Sequence, residues 1–319
     1  MLSGWMETAM TSDIGTALDD AYHAEGRFLW GLCYRMTGSA ADADDLLQET
    51  WVRVLESSPE HLDGELGPWL VRAAVALSRD ALDTRQRREY IGSWLPAPAP
   101  DGLLEDESAE VSGRRYGNRE SATAVFLLAL EPLAASQRAA LLLRDVYGWS
   151  AADIAEALGE SVANAESHCA RARGALAPYD EAPCHPTIAL HDEALAGLRA
   201  LQTAVTARDR AGLVACFEES AELWTDANGQ FNANERPLRG PDAIAAFYLD
   251  RSERLGDPAQ SRFVGLNHLP ALSLEFEGAP DGFAARQVAS VLPGVRGRIA
   301  RVFNMLVPQK LTKLNRLEQ

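Results

Sequence analysis

Residues Gly148–Leu176 read GWSAADIAEALGESVANAESHCARARGAL, and this stretch decides how the middle of the chain folds. Ser150, followed three residues later by Asp153, predicts a capping box at the start of a helix. Gly159 predicts the end of that helix, because glycine adopts the left-handed conformation at little cost. Ser161 then predicts the cap of a second helix. Two short helices joined by a glycine turn make a helix-turn-helix.

The second helix of this motif is predicted to have an apolar face and a polar face. The apolar positions expected to turn inward are Val162, Ala165, Cys169, Ala172 and Leu176. The outer face carries short polar groups and then arginines, a pattern that suits base edges first and phosphates next. Its residues are Asn164, Glu166, Ser167, His168, Ala170, Arg171 and Arg173. On this stretch alone, a helical hairpin with a solvated charged face is the alternative.

Length and composition favour several domains with buried cores. The chain has 319 residues, of which 47% are hydrophobic, enough for two or three domains. It contains no run of about 18 apolar residues and no signal-peptide pattern at the N-terminus, so we expect a cytoplasmic protein that does not enter a membrane. The cysteines lie far apart in sequence, which favours buried reduced thiols over a metal site or a disulfide framework. They are Cys33, Cys169, Cys184 and Cys216.

The charge is unevenly distributed. The net charge is −16, which is unfavourable for a protein that binds only DNA, because phosphates attract basic groups. From Ser39 to Glu60 there are six acidic residues and one arginine, whereas from Arg72 to Glu89 there are five arginines and three acidic residues. Either the DNA-binding charge is local, or another macromolecule supplies most of it.

The acidic segment is predicted to be an amphipathic helix. A first helix is expected over residues 13–37, Gly38 ends it, and Ser39 caps the next. In that second helix the apolar positions expected to face a core are Leu46, Leu47, Trp51, Val54 and Leu55. The positions left outside form one acidic face made of Asp42, Asp45, Gln48 and Glu49. Such a face is most often simply a solvated surface. The more specific alternative is a docking surface for a basic partner.

Two segments, taken together, resemble a known family. LWGLCYRMTGSAADADDLLQETWVRVLE, residues 29–56, resembles region 2 of the extracytoplasmic-function (ECF) sigma factors, the small bacterial members of the sigma-70 family. LEPLAASQRAALLLRDVYGWSAADIAEALGESVANAESHCARARGAL, residues 130–176, resembles their region 4. The two matches come in the expected order. The chain is therefore identified as a member of this family.

The resemblance implies two partners, core RNA polymerase and promoter DNA. The acidic helix would bind the clamp helices of the polymerase β′ subunit, and region 4 would meet the β flap. The residues implied for the β′ contact are Asp42, Asp45, Leu46, Gln48 and Glu49. The loop Ser57–Gly67 and the start of the next helix would melt and read the −10 bases. Flipped bases need stacking and hydrogen-bonding groups, and His61 and Trp69 are candidates, although Trp69 also suits a core position.

The arginine-rich end of the third helix, expected over residues 68–89, would hold the DNA backbone. The residues implied for −10 DNA are His61, Arg79, Arg85, Arg87 and Arg88. The second helix of region 4 would enter the major groove at the −35 element with the polar outer face given above. Glu166 departs from the family, because many relatives carry a basic residue there. This acid is expected to weaken the −35 contacts or to favour a cytosine amine.

The remainder of the chain predicts a third domain. Linkers are expected at 91–117 and 179–187, so the predicted boundaries are 1–90 for region 2, 118–178 for region 4 and 188–319 for the last domain. Helices followed by strands, with Pro241–Leu255 as a helix between them, suggest an α+β cone that resembles the SnoaL-like domains. The predicted fold class is multidomain: two all-α sigma domains, namely the region 2 helical bundle and the region 4 helix-turn-helix, followed by an α+β SnoaL-like cone.

The resemblance further implies that this third domain regulates the sigma domains intramolecularly, with no separate anti-sigma factor. The residues implied for the regulatory contact are Trp94, Leu95, Pro96, Asp226, Gly229 and Lys310. An apolar Trp-Leu-Pro motif in a linker is expected to pack against something. Asp226–Gln230 stands where the fused family members carry DGGGK, and Val307–Leu311 stands where they carry NPDKL. Both motifs are degraded here.

Two other functions are weighed against a sigma factor. A SnoaL-like cone could be a cyclase- or isomerase-like enzyme domain fused to a DNA-binding module, with Asp226, His268 and Glu275 as the acid–base groups to inspect. A repressor or activator that binds DNA without polymerase is disfavoured, because DNA would repel the acidic helix. We expect no catalytic residues, no cofactor and no metal ion.

Overall fold

The computed structural model describes residues 22–56, 66–86, 90–104 and 114–317. Contacts divide the chain into two units. The first comprises Met1–Arg87, Leu103–Ser121 and Ala129–Glu181, and the second comprises Arg88–Gly102, Ala122–Leu128 and Ala182–Gln319. The segments that resemble regions 2 and 4, residues 29–56 and 130–176, thus share one unit. Residues 88–102, which include the first part of the predicted 91–117 linker, belong to the second unit with the C-terminal segment, and this stretch is called the linker below.

The first unit begins with three helices. Helix α1 covers residues 22–37, and Gly38, with a φ of 65°, ends it. Helix α2 is Ala40–Glu56, and the Ser39 hydroxyl accepts a hydrogen bond from the Asp42 N–H at 3.2 Å. Helix α3 is Leu66–Gln86. Glycine and serine thus act at the α1–α2 junction as the sequence indicates.

One predicted core residue of α2 lies outside. The buried stripe of this helix runs through Ala43, Leu46, Thr50 and Val54. Leu55, predicted to face the core, is 70% exposed. It follows Val54 directly, so its side chain points about 100° away from that stripe.

The second half of the first unit contains the helix-turn-helix. The short helices α4 (Asp101–Leu104), α5 (Asn118–Ser121) and α6 (Ala124–Ala129) come before it, and α4 and α6 each cross a unit boundary. Helix α7 (Ala135–Leu141) continues into one π-helical turn, Leu142–Val146. The motif itself consists of α8 (Ala151–Leu158) and α9 (Val162–Ala175), and α10 (Ala177–Glu181) follows.

The caps of the helix-turn-helix are those that the sequence predicts. Ser150 and Asp153 form a reciprocal capping box, and Gly159 has a φ of 67°. The Ser161 hydroxyl accepts from the Asn164 N–H at 3.2 Å. Val162, however, is 45% exposed rather than inward. It is the first residue of α9, so its side chain lies at the helix end, before the first turn that packs.

The second unit is built on a six-stranded sheet. Helices α11 (Ile188–Thr206) and α12 (Arg210–Cys216) lead into β1 (Phe217–Asp226) and the two-residue β2 (Leu238–Arg239). Helix α13 (Pro241–Leu255) precedes β3 (Gln260–Leu266), β4 (Leu269–Glu275), β5 (Arg286–Pro293) and β6 (Ile299–Met305). The strand order is β2-β1-β6-β5-β4-β3. Strands β1 and β6 run parallel, whereas the other neighbours are antiparallel.

The two faces of this sheet have different coverings, as the alternation of strand side chains requires. Helices α11, α12 and α13 cover one face, where Leu198, Leu213, Ile244, Leu272 and Val302 join a single core. The alternate residues of the central strands point to the opposite face, where the linker segment of this unit lies. Within the described residues, none of the helices is long and apolar enough to cross a membrane.

Candidate functional site

The predicted polymerase face of α2 is mostly exposed. Asp45, Gln48 and Glu49 are exposed and Asp42 is half-buried. Leu46 is only 8% exposed, so it packs in the core and is not part of the exposed face. Glu49 forms an exposed ion pair with Arg53 at 3.6 Å, and such pairs contribute little to stability. The carboxylates of Asp45 and Glu49 are therefore accessible to a basic partner.

The residues predicted for −10 DNA divide into two groups. His61, Arg87 and Arg88 lie outside the described residues. Arg79 and Arg85 lie on α3, and each already contacts an acid in the second half of the first unit. We call this half, which contains the helix-turn-helix, the helix-turn-helix half. Arg79 lies 3.8 Å from a Glu160 carboxylate oxygen and donates to the Leu158 carbonyl at 3.1 Å. Arg85 donates to both carboxylate oxygens of Glu131, at 3.0 and 2.8 Å.

The residues predicted for −35 DNA mostly line the outer side of α9. Asn164, Glu166, Ala170 and Arg171 are exposed, and Ser167 is half-buried. His168 is also half-buried, and its Nε2 lies 3.0 Å from a carboxylate oxygen of Glu160.

Arg173, also predicted for −35 DNA, is paired with an acid inside the fold. Its guanidinium forms a two-pronged ion pair with Asp145, whose side chain is only 4% exposed, and one of these bonds measures 2.8 Å. The hydrogen bond to Asp145 raises the pKa of Arg173 above its usual range. A buried carboxylate needs a partner, so Arg173 is held within the fold. The exposed arginine of the pair at this end of α9 is Arg171.

The linker residues of the second unit meet the sheet domain at a buried ion pair. The carboxylate of Asp226 is fully buried and accepts from Lys310 Nζ at 2.7 Å and from the Leu95 N–H at 2.9 Å. Lys310 Nζ also donates to the Leu95 carbonyl at 2.6 Å. The Tyr90 hydroxyl donates to the other oxygen of Asp226 at 2.5 Å. We call these groups the aspartate–lysine cluster.

Aromatic rings cover the lysine of this cluster. Lys310 Nζ lies 4.5 Å from the centroid of the Trp94 ring and 5.0 Å from that of the Tyr90 ring, within the range of cation–π attraction. Leu95 is 3% exposed and Pro96 is buried. The Trp-Leu-Pro motif thus packs on the sheet domain, and its tryptophan is half-buried.

Gly229 shapes the neighbouring loop. It has a φ of 66°, which favours glycine. A Cβ at this position would also lie 2.9 Å from a side-chain carbon of Ile91. The loop can therefore approach the linker closely only because residue 229 has no side chain.

A second contact, called here the asparagine turn, holds the other end of the linker. Asn267 accepts from the Ala99 N–H through its side chain at 3.1 Å and donates its own N–H to the Ala99 carbonyl at 2.9 Å. Its side-chain amide also donates to the Ala122 carbonyl at 2.7 Å. Asp101 accepts from the His268 N–H at 2.7 Å. Asn267 and His268 have φ values of 54° and 62°, as a tight hairpin turn requires.

Between these two contacts the linker runs along the sheet. Leu95, Pro96 and Pro98 line a small cavity of about 40 Å³ together with Ala271, Val288, Phe303 and other residues of the central strands. Fixing this linker thus combines apolar burial with two sets of backbone hydrogen bonds.

The three groups considered for acid–base chemistry are not brought together. Asp226 is engaged by the linker, and Glu275 pairs with Arg286 at 3.5 Å. His268 directly precedes β4 and Glu275 ends it, so they lie about 20 Å apart along the strand. Asp226 is on β1, which β6 and β5 separate from β4.

The sequence patterns did not indicate three residues of the linker contact. Tyr90, Asp101 and Asn267 bind across the contact, and none belongs to the Trp-Leu-Pro motif. Asn267 had a usable signal, because asparagine tolerates the left-handed conformation that a tight turn between two strand-like segments requires. Tyr90 and Asp101 stand at the two ends of the linker, and their partners are more than 130 residues away in sequence.

The buried ion pair yields a stability prediction. Asp226→Ala leaves the Lys310 ammonium without its carboxylate, and breaking a buried pair in this way costs about 3–5 kcal/mol of unfolding free energy. Denaturant titration of the full chain measures it. Hydrogen exchange at the Leu95 amide should accelerate. Replacing both partners, with Asp226→Leu and Lys310→Met, should recover only the part of the loss that comes from the unpaired ammonium, because the Leu95 N–H and carbonyl stay without partners. A double variant no more stable than the single one would contradict the assignment.

Comparison with known proteins identifies two families in the helical part of the chain. The Sigma-70 region 2 family matches residues 21–88 and the Sigma-70 region 4 family matches residues 124–176. The ECF RNA polymerase sigma factor SigJ of Mycobacterium tuberculosis is 30% identical over 301 residues, which cover 91% of this chain and 92% of SigJ. The sigma factor SigG of the same organism is 40% identical over 168 residues, or 47% of this chain and 45% of SigG.

Solved structures match as well. The crystal structure of SigJ covers 92% of this chain and 98% of its own, with 25% sequence identity and a TM-score of 0.68. A putative isomerase of the SnoaL-like family from Agrobacterium tumefaciens covers 36% of this chain and 97% of its own, with 16% identity and a TM-score of 0.25. With both sigma-70 regions in order and a full-length relative at this identity, the chain belongs to the ECF RNA polymerase sigma factors, a family of transcription initiation factors.

Proposed function

We propose that this sigma factor binds core RNA polymerase through the acidic face of α2, reads promoters with α3 and α9, and is controlled by its own C-terminal domain through the linker. The observation that carries the regulatory part is the aspartate–lysine cluster. Lys310 donates to the Leu95 carbonyl and Asp226 accepts from the Leu95 N–H. The linker backbone is therefore an integral part of the C-terminal domain.

The polymerase contact is supported by exposure and charge. The carboxylates of Asp45 and Glu49 are exposed on a helix whose opposite face is buried. The clamp helices of the β′ subunit are the basic partner that the family implies. The β flap is the expected partner of region 4, and promoter DNA meets Arg79 and Arg85 on α3 and the exposed side of α9.

Control through the linker follows from how the chain is threaded. The chain passes from one unit to the other after residues 87, 102, 121, 128 and 181. The linker that the C-terminal domain holds is therefore the segment that joins the two sigma regions in sequence. A change in how firmly this linker is held alters how far regions 2 and 4 can separate. The expected absence of a separate anti-sigma factor stays a prediction of this scheme.

Charge reversal tests the polymerase face. Asp45→Lys together with Glu49→Lys should leave thermal unfolding near wild type, because exposed charges contribute about 1 kcal/mol or less. Affinity for core polymerase, measured by fluorescence anisotropy, should fall about tenfold or more, as expected when complementary charges become repulsive. The matched control is Glu193→Lys with Glu253→Lys, two exposed acids of the C-terminal domain. Equal affinity of the two double variants would sink the assignment.

The two arginines of α9 should behave differently. Arg171→Ala should weaken binding to promoter DNA and reduce the slope of log affinity against log salt by about 1, with unchanged stability. Arg173→Ala should instead lower the unfolding free energy by about 2 kcal/mol, because Asp145 is left buried without its partner. Salt-dependent titration and denaturant unfolding of both variants measure this. A normal salt slope in Arg171→Ala would assign that residue to a solvated surface.

Loosening the linker tests the regulatory role. Trp94→Ala removes the ring over Lys310 and should speed proteolysis of the linker and change promoter-directed transcription about threefold or more. Phe263→Ala is the matched control, because Phe263 also carries a cation, Arg199, at 5.6 Å, but lies on β3. If both variants transcribe like the wild type while the linker of Trp94→Ala is cleaved faster, the linker does not regulate.

A further inference from the structure

The arginines of α3 meet acids of the helix-turn-helix half throughout the length of the helix. Arg72 donates to Glu156 at 2.6 Å, and Arg79 lies 3.8 Å from Glu160. Near the C-terminal end of α3, Arg85 makes its two hydrogen bonds to Glu131. The partners come from different elements, namely α8, the turn after it and the segment before α7. The pairing is therefore a property of how the two halves of this unit pack, and not of one local motif.

The pairing at Glu131 is anchored by a buried arginine. Arg138 is only 2% exposed and donates to Glu131 at 2.9 Å and to the Met36 carbonyl at 2.7 Å. Arg85 donates to the next carbonyl, that of Thr37, at 2.5 Å. Both carbonyls lie at the end of α1, where a helix has no internal partners for them. One carboxylate and two helix-end carbonyls thus bind two guanidinium groups together.

Glu160 contacts both groups of residues assigned to DNA. One of its carboxylate oxygens lies near Arg79 of the −10 set, and the other lies 3.0 Å from Nε2 of His168 of the −35 set. A single acid in the turn of the helix-turn-helix therefore engages one residue from each DNA-binding surface.

Carboxylates and phosphates compete for the same donors. A guanidinium presents its N–H groups in a planar fork that fits either anion, in most cases with two parallel hydrogen bonds. Arg85 already uses one amino group on both oxygens of Glu131 and another on Thr37. These N–H groups cannot bind a DNA phosphate until Glu131 leaves.

We propose that Glu131, Glu156 and Glu160 act as an internal substitute for promoter phosphates, so that the free protein holds its own α3 arginines closed to DNA. The two halves of the first unit must separate before the arginines become available. The acidic face of α2 is not involved, because Asp45, Gln48 and Glu49 stay exposed. Polymerase can thus engage the closed form, and DNA binding follows the opening.

This inference rests on the proposed DNA role of Arg79 and Arg85, and the experiment separates the two. The full chain is titrated into a fluorescent 30-base-pair duplex of random sequence at low salt. Because the closed form hides these arginines, Arg79→Gln with Arg85→Gln is made in the Glu160→Gln chain and must weaken binding there. If it does not, the proposed DNA role fails, and the substitute has nothing to compete with.

The decisive variants remove the acids. Glu160→Gln and Glu131→Gln should each raise duplex affinity about 3- to 10-fold, a typical size for coupling between two states. Glu181→Gln is the matched control, since it makes the same charge change at an exposed acid of α10. Neutralising any acid helps DNA binding slightly through net charge, so the comparison with Glu181→Gln isolates the local effect. Equal affinities of Glu160→Gln and Glu181→Gln would overturn the proposal.

A charge swap checks the closed packing independently of DNA. Arg72→Glu alone should expose the pairing surface of α3, seen as a larger radius in small-angle scattering and faster hydrogen exchange in α8. Adding Glu156→Arg restores an ion pair of reversed polarity and should restore both values. Glu131→Gln removes a partner of the buried Arg138 and can unfold the unit, so circular dichroism accompanies it. The variants at the half-buried Glu160 and the exposed Glu156 carry the test if it unfolds. The proposal would also be overturned if the double variant and Arg72→Glu alone gave the same scattering radius and the same hydrogen exchange in α8.

Discussion

The contact between Lys310 and Asp226 is the constraint on which the second unit depends. Two charges removed from water are favourable only when each finds several partners. Asp226 accepts from Lys310, Leu95 and Tyr90, while Lys310 also binds a carbonyl and lies over two rings. Two of these partners are backbone groups of the linker. If the linker leaves, Asp226 keeps Lys310 but loses the Leu95 N–H and the Tyr90 hydroxyl, and Lys310 loses the Leu95 carbonyl.

The first unit uses charge in a different manner. Its pairs between α3 and the helix-turn-helix half are mostly part-exposed, and exposed pairs contribute little to stability. Salt screens them, and a polyanion can displace them. The C-terminal domain thus holds its linker with a costly, buried pair that is suited to permanence. The sigma regions hold each other with weak pairs that are suited to exchange, and only Arg138 is deeply buried among them.

Local features were predictable because local chemistry determines them. The caps at Ser39, Ser150 and Ser161 and the left-handed Gly159 were all correct, since each depends on residues within one turn. The two errors, Leu55 and Val162, concern side chains next to a buried stripe or at a helix end, where periodicity alone does not decide orientation. The ion pair that occupies Arg173 was not predictable, because Asp145 lies in a different helical segment and no pattern links the two residues.

The strongly negative net charge gains a physical explanation from these contacts. Free basic surfaces on the chain would bind any duplex, whatever its sequence. Placing carboxylates against the arginines would lower this non-specific affinity without removing the arginines. In the proposed function, the remaining exposed acids on α2 face a basic partner and not DNA. Excess acid would then serve the two tasks of suppressing DNA binding in the free chain and directing the chain to polymerase. An order of assembly with polymerase first and promoter second is what this proposed arrangement of charges predicts.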